Sequence, residues 1–100
     1  MTNTYEFEAP LWQWTAQQSV WMFVTLPENV TDEIDDAQAG PRAGFGSVKV
    51  RVRVGATTWE TSIFPSQEMG GFILPVKKAV RLAEKLDEGT VGRFELVTLT

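Results

Sequence analysis

The sequence predicts a mainly β protein: a small, antiparallel barrel of about six strands capped by one longer and one short helix. The clearest sign is "SVKVRVRVG", where Val48, Val50, Val52 and Val54 alternate with Lys49, Arg51 and Arg53. That is the period-two pattern of a strand with one wet face. Weaker alternation recurs along the chain, and the connections are too short for parallel crossovers except across a helix. One hundred residues, 43% apolar and 22% charged, suffice for one modest core, so residues 1–100 are expected to form a single domain.

The elements follow in order. In residues 5–11, Tyr5, Phe7, Ala9 and Leu11 alternate with Glu6, Glu8 and Pro10, a half-buried strand whose proline suggests an edge or bulge. Trp12 and Trp14 break that phase, and "TAQQS" reads as a polar connection to a second strand, "VWMFVTL" at 20–26. These two strands are expected to pair as a hairpin. In "LPENVTDEIDDAQAG", Pro27 stands at a plausible first helical position, acids gather near the N-terminus, and Val30 and Ile34 are four apart. A short helix over 27–36 is predicted. "QAGPRAG" reads as a loop, and Gly44 and Gly46 allow a bulge or close approach entering the valine strand. "TWETSIFP" at 58–65 alternates Trp59, Thr61 and Ile63 against Glu60, Ser62 and Phe64. "SQEMGG" turns, "FIL" at 72–74 is a short strand, 76–86 a helix, "DEG" a turn, and "VGRFELVTL" the closing strand. A closed sheet would leave no exposed edges.

The succession "VWMFVTLP", "FGSVKVRVRVG", "WETSIFP", "GGFILPVKKAVR" and "DEGTVGRFEL" resembles the bacterial domain-of-unknown-function family 1905 (DUF1905) along nearly the whole chain. The resemblance implies a strand-rich double-split pseudobarrel and brings no established reaction. A narrower likeness covers the last third. Gly71, Ile73, Leu74, Pro75, Arg81, Gly89 and Val91 follow an order similar to the AbrB-like swapped-hairpin DNA-binding domains of transition-state regulators and antitoxins. Those domains form interleaved dimers, whereas here the block follows some seventy residues of other strands in an acidic chain.

Composition narrows the chemistry. There is no cysteine and no histidine, so disulfides, thiolate metal sites, thiol nucleophiles and the commonest neutral-pH proton carrier are all missing. No apolar run approaches the roughly 20 residues of a membrane span. The first ten residues lack a secretory signal, so cytosol is the expected compartment. The net charge of −4 repels phosphate backbones unless bases gather on one face, and nucleic acid is not an expected partner. No cofactor or metal and no enzymatic activity are expected.

The helix after Pro75 carries the best site candidate. Val76, Ala79, Val80, Ala83 and Leu86 recur at helical spacing and are expected to face the barrel, leaving Lys77, Lys78, Arg81 and Lys85 outside. Two lysines in a first turn oppose the helix dipole, and no side chain stands ready to cap the amides. One reading is an anion site at the mouth formed by Gly70, Gly71, Pro75, Lys77 and Lys78, with Arg81 assisting, for a small anion or an acidic partner segment. The other is a pair of solvated charges whose counter-ion is Glu60, Glu68 or a neighbouring chain.

Other features stay open. Lys49, Arg51 and Arg53 could join the helix in a basic patch, or form an aggregation-resistant solvated face. Of the four tryptophans, Trp12, Trp14 and Trp21 could line a pocket or partner surface, though filling the core is the plainer role. Asp32, Glu33, Asp35 and Asp36 lack calcium-loop spacing and read as a solvated helix face. Ser62 or Thr61 with Lys77 would make a hydroxyl–amine pair outside any recognised motif. A DNA-associated regulator and a weak enzyme acting on an anionic substrate stand as alternatives to a binding module.

Overall fold

The computed structural model describes residues 4–16, 19–38 and 46–99. Seven strands and two helices follow one another as β1 (Thr4–Pro10), β2 (Trp12–Ala16), β3 (Ser19–Thr25), α1 (Glu28–Ala37), β4 (Val48–Val54), β5 (Thr57–Ser66), β6 (Gly71–Pro75), α2 (Lys78–Glu84) and β7 (Val91–Thr98). The strands form one antiparallel sheet in the order β1-β7-β4-β5-β6-β3-β2, curled into a half-barrel. The expected "QAGPRAG" loop and Gly44 lie outside the described residues.

Alternation decides the inner face. Val48, Val50, Val52 and Val54 of β4 are buried together with Tyr5, Phe7 and Ala9 of β1, Trp59 and Ile63 of β5, and Phe94 and Leu96 of β7. Phe7 stands opposite Phe94 in register, and their rings stack at 5.6 Å. The concave side is closed by Val30 and Ile34 from α1, by Val80 of α2 and by Leu86 just beyond it. These side chains join the strand residues in one core.

Three expectations are corrected. The first strand does not pair with the second predicted one. Trp12–Ala16 is a strand in its own right and forms the hairpin with β3, while β1 crosses to the far edge and pairs with β7. The cause lies at Leu11, a buried corner whose N–H donates to the Thr90 carbonyl and whose carbonyl accepts from the Gly89 N–H. The longer helix is α1, with ten residues against seven for α2. The sheet is a half-barrel of seven strands, with β1 and β2 as its edges.

Helix α2 begins later than its apolar spacing suggests because Pro75 belongs to β6 and the Val76 N–H still donates to the Met22 carbonyl at 2.9 Å. It ends at Lys85, in the left-handed region at φ 54°. Ala79 and Ala83 are exposed, so Val76, Val80 and Leu86 make the buried contacts in this stretch. The far end of α2 sits on the β4–β5 turn, where Thr57 Oγ1 donates to Glu84 Oε2 at 2.6 Å.

Candidate functional site

The candidate site follows from unequal strand lengths. Strand β6 lies between β3 and β5 but covers only Phe23–Thr25 of one and Phe64–Ser66 of the other. Beyond Pro75 the chain leaves the sheet, and the early parts of β3 and β5 flank a cleft of about 660 Å³. Val20, Trp21 and Met22 form one wall, Trp59, Glu60, Thr61 and Phe64 the other. Pro75 to Lys78 and Arg81 close the end.

Most of this lining is apolar, and its cations are concentrated at the closed end. Lys77 and Lys78 are exposed, and among the described residues no carboxylate lies within ion-pair distance of either. Arg81 is half-buried and donates from Nε to the Val76 carbonyl at 3.1 Å, which orients the guanidinium while leaving its Nη donors for another acceptor. Glu60 does not serve as the lysines' counter-ion. Its carboxylate is held by Arg51 at 3.0 Å.

Four expected site residues, Pro75, Lys77, Lys78 and Arg81, therefore meet in one cleft. Gly70 and Gly71 do not join them. Gly71 begins β6 at its other end, four residues from Pro75 and so roughly 13 Å away along the strand, and Gly70 lies one residue before it. Gly71 there serves packing. A side chain on it would come within 2.7 Å of Thr31 Oγ1, which accepts the Phe72 N–H at 3.2 Å and joins α1 to β6. Nor is the helix start itself a strong anion receptor, because α2 has only seven residues and a correspondingly small dipole.

The basic stripe is largely spent within the sheet. Arg51 pairs with Glu60 and Arg53 with Glu95 at 2.8 Å, so two of its three charges are balanced on their own face. The tryptophans divide. Trp59 is buried at 6% exposure, but Trp14 and Trp21 are 50% exposed. Trp12, Trp14, Trp21 and Phe23 share the outer face of the β2–β3 hairpin, Trp12 stacks on Phe23 at 5.1 Å, and its indole N–H donates to Thr25 Oγ1. Core filling thus holds for Trp59 alone, and Trp21 belongs to the cleft. The signal for this was the phase break after Leu11, which turns the hairpin's aromatics outward.

Asp32, Glu33, Asp35 and Asp36 are exposed on α1, and among the described residues no three acidic side chains cluster as a metal site. Thr61 and Lys77 both line the cleft, with no hydrogen bond between them among the described residues.

Residues 7–96 match the family described as Domain of unknown function (DUF1905). The chain belongs to the DUF1905 family. The match takes in β2 to β6 and both helices whole, with most of β1 and β7, so the cleft lies wholly within the DUF1905 domain. No curated protein matches the chain. The family match lends nothing to the swapped-hairpin likeness. β6 and β7, the strands of that block, are separated in the sheet by β4 and β5 and find their partners within the chain. Among the described residues no helix is long and apolar enough to cross a membrane.

Proposed function

We propose that this DUF1905 domain is a non-enzymatic binding module whose cleft takes a ligand with an apolar body and an anionic end, a small carboxylate or an acidic protein segment. The observation that carries the reading is the union of Lys77, Lys78 and Arg81 at the closed end of a cleft walled by Trp21, Met22, Trp59, Phe64 and Val76. Apolar walls supply the driving force for burial, and a few placed polar groups set orientation. Cations at one end would select a carboxylate or phosphate group, with the guanidinium offering paired donors.

Trp21 and Trp59 line the cleft, so intrinsic fluorescence reports its occupancy. With 4-phenylbutyrate as probe, a saturable change is expected. The Lys77→Ala/Lys78→Ala double variant should weaken binding by about tenfold, equivalent to ~1.4 kcal/mol, at an unchanged melting temperature. The reading is refuted if the uncharged amide of the probe binds equally well, if the double variant binds as the parent does, or if no saturable change occurs.

A further inference from the structure

Two strand edges face each other across the cleft. Val54 and Thr57 close the two-residue turn at Gly55–Ala56, and the pair closing such a turn exchanges amide hydrogen bonds. Alternation then assigns Val52↔Trp59 and Val50↔Thr61 as the next bonded pairs, so Thr58 and Glu60 direct their N–H and C=O groups away from β4. Further along the same edge, Phe64 stands opposite Ile73 of β6. On β3, the Met22 carbonyl accepts from Val76, and Val24 stands opposite Leu74. Val20 is in phase with both and faces the same side. Among the described residues, no backbone hydrogen bond occupies that side of Val20, Thr58 or Glu60.

The width of the gap follows from the sheet. Because β6 separates β3 from β5, these edges stand two inter-strand spacings apart where β6 ends, about 9.5 Å. One extended chain fills that width. A chain running away from Pro75 in the direction of β6 would be antiparallel to both neighbours, the more stable pairing. Its first residue would lie beside Lys77, Lys78 and Arg81 and, in the register of β6, between Trp21 and Glu60 on the outer face, where Arg51 already holds the Glu60 carboxylate; the next would lie between Val20 and Trp59 on the inner face. Positive charge at the entry end matches an acidic leading residue.

We infer that the cleft binds an extended peptide segment led by an acidic residue and added as a strand in line with β6. This deepens the proposed function and rests on it. Main-chain hydrogen bonds to two edges would supply affinity, and the cations would fix direction and register.

The probe is an acetylated, amidated pentapeptide of glutamate followed by alternating valine and threonine, compared with the same peptide N-methylated at alternate backbone amides. Amide exchange is read by NMR on the full chain. Expected are exchange at Val20, Thr58 and Glu60 slowed more than tenfold by the first peptide, and at least tenfold weaker binding of the second. The inference is overturned if the peptide binds without protecting those amides or if N-methylation leaves affinity unchanged. It also fails if the same amides become protected with rising protein concentration alone, which would make a second copy of the chain the occupant. Binding of 4-phenylbutyrate without binding of the peptide removes strand addition and leaves the anion-binding reading standing. Failure of both probes removes both.

Discussion

Gly55 offers a test of how α2 is held beside the cleft. The residue lies in the left-handed region at φ 57°, and a methyl group built on it would overlap the Glu84 carboxylate, the group that accepts the 2.6 Å hydrogen bond from Thr57. Gly55→Ala should therefore carry two separable costs. Holding alanine in that backbone region costs about 1–2 kcal/mol. Displacing the carboxylate forfeits a charge-assisted hydrogen bond worth about 1.5 kcal/mol, the low end of its range because the site is only partly buried. Together they give about 3 kcal/mol, or a fall in melting temperature of roughly 12–24 °C. Glu84→Ala alone should cost about 1.5 kcal/mol, and adding Gly55→Ala to it only the backbone share. Urea unfolding of the four proteins, followed by tryptophan fluorescence, measures the cycle. A coupling of about 1.5 kcal/mol is expected, whereas additivity within about 0.5 kcal/mol would refute the contact.

Two further outcomes follow from the core and the α1 junction. Phe94→Ala removes a fully buried ring stacked on Phe7 and should cost about 3–5 kcal/mol in chemical denaturation, well beyond any surface change. Gly71→Ala should cost about 1–2 kcal/mol in the same assay, because Thr31 must rotate away from the Phe72 amide to admit the methyl.

Much of the fold was legible wherever one face of a strand is wet. Residues 48–54 alternate without a break, and β4 runs over those seven residues because every valine meets the core and every base meets water. The hairpin was harder. Trp12-Gln13-Trp14-Thr15 also alternates, but its large members face outward, against the usual tendency of indoles to be buried. In α2, Ala79 and Ala83 fit the apolar spacing yet stay exposed, because the chain is still bonded to β3 at Val76 and the helix turns only from Lys78. The cations of the candidate site were visible as local residues. Its walls were not, since Trp21 and Trp59 are 38 positions apart and meet at one cleft only because β6 is shorter than both neighbours.

The placement of β7 between β1 and β4 has a consequence for biosynthesis. Until residues 91–98 leave the ribosome, the first strand has no ladder partner among the described strands, and Tyr5 and Phe7 stay bare on the nascent chain. Thr4 must find Val97, 93 positions further along the chain. Chain-closure entropy on that scale places this domain among the slower-folding β topologies, in which an unpaired strand stays open to aggregation until its ladder closes.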